Sequence, residues 1–65
     1  MGKQVSSSEA IKEIKRLGWV EVRAKSSHVT FKHPDHALLI TVKHPAKSLS
    51  PGLIRSIERI AGVRF

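Results

Sequence analysis

Apolar residues recur every three to four positions at both ends of this chain and every second position in between. That change of period narrows the possible folds more than any other feature. Near the start, Ala10, Ile11, Ile14 and Leu17 form one stripe, with Lys12, Glu13, Lys15 and Arg16 on the opposite side. Ser6-Ser7-Ser8-Glu9 precedes it and reads as a capping box, a hydroxyl at one end and a glutamate three residues on. Gly18 stops the helix, because glycine takes a left-handed backbone at low cost. The first helix is predicted over 7–17. At the other end, Ser50-Pro51 supplies a hydroxyl cap followed by a proline whose missing N–H is no loss in the first turn. Leu53, Ile54, Ile57, Ile60 and Ala61 make the second stripe, Arg55, Ser56, Glu58 and Arg59 face water, and Gly62 closes the helix.

Between the helices the alternation predicts three strands. In 19–25, Val20, Val22 and Ala24 point to one side, and Trp19, Glu21, Arg23 and Lys25 to the other. Ser26-Ser27 makes a turn. In 28–32, Val29 and Phe31 point inward, and His28, Thr30 and Lys32 outward. His33-Pro34-Asp35-His36 is a second turn, since proline fixes its own backbone and removes a donor. The third strand is predicted over 37–42, and its apolar content suggests a central or well-covered position. A loop around Pro45 leads to the second helix. The expected fold is therefore α+β, in the order α-β-β-β-α. A three-stranded antiparallel sheet carries both helices on its one apolar face. The other face is left with Arg23, Lys25, His28, Thr30, Lys32, Thr41 and Lys43, and Trp19 is expected to tuck against the first helix.

The 65 residues suit a single domain, 1–65, with 1–5 expected to fray. The chain has no cysteine, which excludes disulfides and thiolate metal sites and points to a reducing compartment, the cytoplasm. The longest apolar run, Ala37-Leu38-Leu39-Ile40, is far too short to span a membrane, so no membrane association is expected. Twelve Lys and Arg against five Asp and Glu give a formal charge of +7 and a pI near 10.7. An excess of that size repels itself in a compact fold and points to an anionic partner, nucleic acid first, with an acidic protein or a plain basic surface as the alternatives.

His28 is the side chain that gives such a partnership chemistry. Imidazole titrates at about pH 6.5 in model peptides, so it both takes and gives protons near neutrality. RNA carries its own nucleophile, the ribose 2′-hydroxyl, so acid–base help and nearby cations suffice without a metal. Lys25 and Lys32 lie close to His28 in sequence. An ordinary exposed strand histidine fits the same residues. His33, Asp35, His36 and His44 raise the question of a metal, but one loose histidine pair is a weak signal and a solvated polar turn accounts for it. Ser27 adjoins His28, yet neighbours on a strand face opposite ways, which argues against a serine nucleophile. Phe31 and Trp19 are read as core. Lys12, Lys15 and Arg16 make either a phosphate-contacting edge or a solvated helix face.

Taken together, these residues resemble the HicA family, the toxin half of bacterial HicBA toxin–antitoxin pairs. The resemblance rests on Leu17-Gly18-Trp19 and Arg23, then Lys25-Ser26-Ser27-His28 leading to Phe31-Lys32-His33-Pro34. It continues through Thr41-Val42-Lys43-His44-Pro45 to Leu49, Pro51-Gly52-Leu53-Ile54-Arg55, Ile57 and Ala61-Gly62. It implies a double-stranded-RNA-binding-like fold, cleavage of mRNA, neutralisation by a HicB antitoxin, and no cofactor. The family's catalytic histidine follows Gly-Ser and matches His28, with RNA contacts expected from Arg23, Lys25, Ser27, Lys32 and Lys43. Ser26 stands where the family has glycine. A serine with positive φ would be strained by about 1 kcal/mol, unless the turn differs.

Two other readings remain beside the nuclease. One is a double-stranded RNA-binding module that grips without cutting. The lysine cluster such modules carry at their last helix is missing from Ser50-Pro51-Gly52-Leu53-Ile54. The other is an interaction domain docked on an acidic protein.

Overall fold

The structure, a computed structural model, describes residues 4–65 as α1 (Ser7–Arg16), β1 (Val20–Lys25), β2 (His28–Lys32), β3 (Ile40–Lys43) and α2 (Pro51–Ala61). Both helices begin at the expected caps. Ser6 Oγ accepts the Glu9 N–H at 3.1 Å, and Ser50 Oγ accepts the Leu53 N–H at 3.2 Å. The end of α1 doubles back on itself. Gly18 N–H donates to the Lys15 carbonyl and Trp19 N–H to that of Ile14, at 3.0 and 3.1 Å, the paired bonds of a Schellman motif. Gly18 has φ +102°, and a Cβ there would stand 3.0 Å from His33 Nε2. Backbone and packing both require glycine at this position.

The sheet is antiparallel in the order β1-β2-β3. Val29, Phe31, Ile40 and Val42 point from it toward Ala10 and Ile14 of α1 and Ile57 of α2, forming the core with Val5, Trp19, Leu49 and Val63. Both helices therefore cover one face of the α+β sheet, as expected. Phe31 is wholly buried. Among the described residues no helix is long and apolar enough to cross a membrane.

Three expectations need correction. First, β2 is the central strand, and β3 lies at an edge and starts only at Ile40, opposite Phe31. Leu38 and Leu39 precede it and are 61% and 52% exposed. The apolar run straddles a loop and a strand, so its composition overstates how well the strand is covered. Second, β1 has no buried face; all six of its residues are exposed. Both helices lie chiefly against β3, leaving β1 overhanging, and a bulge between Glu21 and Arg23 breaks its alternation. Third, fraying does not extend to Val5. That side chain is 1% exposed, and its carbonyl accepts the Leu49 N–H at 2.8 Å. The expectation for residues 1–3 lies outside the described residues.

Candidate active site

The hairpin joining β1 to β2 closes through Ser26 and Ser27, with Lys25 paired to His28. Ser26 has φ 54°. A positive φ confined to the first turn residue is the pattern of a type II′ hairpin, whose twist matches that of the strands and whose usual occupant there is glycine. The turn thus keeps the left-handed geometry, and serine bears its strain. Ser27, half-buried, accepts the His44 N–H on its carbonyl at 2.7 Å. That bond ties the hairpin to the end of β3.

Register then assembles the site. His28 is opposite Lys25 on β1 and Lys43 on β3. Directly opposed residues share a face with their Cβ atoms about 4.5–5.5 Å apart. Lys25, His28 and Lys43 therefore form one exposed cross-strand row on the side away from the helices. The next row is Arg23, Thr30 and Thr41, whose two threonine hydroxyls are 3.1 Å apart. Lys32 is not beside His28, as its closeness in sequence suggested. It is paired with Val20, four residues along β2, roughly 13 Å away at strand rise.

The bulge has an electrostatic result. Glu21 was expected beside Arg23 and Lys25, but the extra residue Val22 shifts the phase, and Glu21 pairs with Phe31 on the other face. Val20 takes its place on the open side, 59% exposed. The three rows Lys25–His28–Lys43, Arg23–Thr30–Thr41 and Val20–Lys32 thus contain no carboxylate. Nothing in the local sequence marks Val22 as a bulge.

The histidines of the second turn are organised by hydrogen bonds and ring packing. His33 Nε2 donates to the Leu17 carbonyl at 3.0 Å, and Nδ1 accepts the Asp35 N–H at 3.0 Å. With both ring nitrogens engaged, His33 caps the end of α1. Its ring centroid lies 5.3 Å from Trp19 and 4.9 Å from His36, and His36 stacks on Trp19 at 5.1 Å. Pro34 and Asp35 of the turn stay exposed, while its two histidine rings form an aromatic nest that accounts for the burial of Trp19, 2% exposed. Among the described residues no group of three metal-ligating side chains comes together.

These features define a class: a small α+β protein whose sheet has one face under two helices and the other bare and cationic. The family model for the HicA toxin of bacterial toxin–antitoxin matches residues 7–63. The chain belongs to the HicA toxin family. A solved structure, the HicA3 and HicB3 toxin–antitoxin complex, is similar at 35% identity and TM-score 0.79, over 94% of this chain and 98% of that one. A comparison with curated proteins returned no match.

Proposed function

We propose that this toxin is a ribonuclease that cuts mRNA without a metal, using His28 as its general acid/base, and that a HicB-type antitoxin restrains it. The observation that carries the reading is the exposed row of Lys25, His28 and Lys43, on a face without carboxylates, in a chain of this family. In the cleavage step the ribose 2′-oxygen attacks phosphorus while its proton passes to a base. The bond from phosphorus to the 5′-oxygen breaks, and that oxygen takes up a proton, leaving a 2′,3′-cyclic phosphate and a 5′-hydroxyl. An imidazole serves either transfer, a contribution of about 10²–10⁴ in rate. The ammonium groups of Lys25 and Lys43 offset the charge that builds on the phosphoryl oxygens. Arg23, Ser27 and, farther along, Lys32 hold the strand through its phosphates, and mRNA as substrate sets the cytoplasm as the site of action. The solved relative is a complex of toxin with antitoxin, and an acidic partner laid over the cationic face would exclude RNA.

The test is His28→Ala. The variant keeps the circular dichroism spectrum and melting point of the parent but loses RNA cleavage and growth arrest, while parental cleavage persists in EDTA. Undiminished cleavage by folded His28→Ala protein overturns the assignment.

A further inference from the structure

Ser7 is the one buried polar side chain in the described core, 1% exposed. Its hydroxyl accepts the Ala46 N–H at 2.8 Å, lies 3.2 Å from the Ala46 carbonyl, and meets His44 Nδ1 at 2.7 Å. When the Ser7 hydroxyl donates to Nδ1, the ring proton sits on Nε2, which is then the outward donor. The His44 ring is thus held at Nδ1 by Ser7, and the residue's backbone N–H is tied to the Ser27 carbonyl, while Nε2 makes no hydrogen bond within the described chain. The ring lines an open groove of about 390 Å³ with Ser8, Ile11, Lys12 and Lys15 of α1, and no acidic side chain lines it. Lys12 and Lys15 share the α1 stripe that starts at Ser8. Arg16, the third cation of that helix, faces away and is paired with Glu13.

We propose that this groove is an RNA phosphate subsite, in which Lys12 and Lys15 supply charge and His44 Nε2 donates a directed hydrogen bond. It rests on the nuclease reading only in taking RNA as the ligand. Its position fits a strand running past His28. Ser27 and His44 form the next pair beyond His28 and Lys43, and successive residues on a strand face opposite sides. His44 therefore sits at the same end of the sheet as His28 but turns toward α1. It cannot touch the scissile phosphate from there, and a neighbouring backbone phosphate is the group within its reach. A fixed imidazole in a cationic groove free of carboxylates suits a phosphate oxygen better than an apolar or cationic ligand. Flexible lysines on their own would suit any anion.

The experiment measures binding to single-stranded 2′-O-methyl RNA, which cannot be cut, so its outcome does not depend on whether His28 is catalytic. Lys12→Ala/Lys15→Ala should weaken binding about tenfold at physiological salt and flatten the dependence of log K on log salt by about 1.4, two phosphate contacts at roughly 0.7 each. His44→Asn keeps an amide where Nδ1 meets Ser7 but removes the outer donor, and should lose affinity. His44→Gln, which puts an amide where Nε2 was, should restore it. On cleavable RNA, His44→Asn should raise KM and leave kcat unchanged. Lys12 and Lys15 are exposed, so the double variant reads out even if a substitution at His44 unfolds the chain. Parental affinity and salt slope in the double variant overturn the subsite. So does a loss confined to antitoxin binding, which would make the groove a protein contact.

Discussion

Replacing Ser26 by glycine isolates the strain in the hairpin that carries His28. Ser26 has φ 54°, where an L-residue is disfavoured by about 1–2 kcal/mol because its Cβ crowds the backbone. Glycine escapes that cost but loses more freedom on folding, by about 0.5–1 kcal/mol. No side-chain hydrogen bond of Ser26 is at stake among the described contacts. Taken at mid-range, about 1.5 against about 0.75, the balance favours Ser26→Gly by about 0.75 kcal/mol. In a domain of this size each kcal/mol moves the melting point about 4–8 °C, so the gain should be about 3–6 °C. Urea unfolding followed by circular dichroism measures it as a raised midpoint at unchanged slope. Ser27→Gly is the control. Ser27 lacks a positive φ, so glycine there brings only the entropic loss and should lower the midpoint. If Ser26→Gly fails to stabilise, or both glycines act alike, the assignment of strain to residue 26 is wrong.

Three further expectations follow from other parts of the structure. Gly18→Ala should cost at least about 1–2 kcal/mol in urea unfolding, because the new Cβ meets a φ of +102° and a ring nitrogen of His33 at 3.0 Å. A midpoint equal to the parent's would refute that packing. His33→Ala should cost about 1–3 kcal/mol, since the Leu17 carbonyl and the Asp35 N–H both lose a partner; hydrogen exchange should quicken at the end of α1 and in the turn, and uniform exchange would count against the nest. Glu13 is held below the usual carboxylate range, first by its hydrogen bond from Arg16 and then by charge. A depressed folded-state pKa gives stability that is present above the unfolded value and lost as pH falls through the folded one. Glu13→Gln should therefore lower the melting point slightly at about pH 7, and the difference should shrink as pH falls through the folded-state pKa.

Much of the candidate site could be read from sequence because it depends on alternation over a few residues. His28, Thr30 and Lys32 had to lie opposite Val29 and Phe31, and the buried Phe31 pins that phase. Which cations stand beside His28 is a matter of pairing. Lys43, fifteen residues on, is its neighbour, and Lys32, on its own strand, is not. The apolar run before Ile40 misled for a related reason: central position comes from having two paired neighbours, and composition records neither of them.

The sequence by itself determined what short-range forces decide. Serine hydroxyls and glycines mark both helix ends, since caps are satisfied by groups within three or four residues. The number of strands and the exposed side of β2 follow from periods of two and 3.6. Tertiary structure alone decided the bulge at Val22 that turns Glu21 off the cationic face, the nest of Trp19, His33 and His36, and the grip of Ser7 on His44. These join residues up to 37 positions apart. They exist only once the packed chain has brought those groups together, so no local pattern of residue types encodes them.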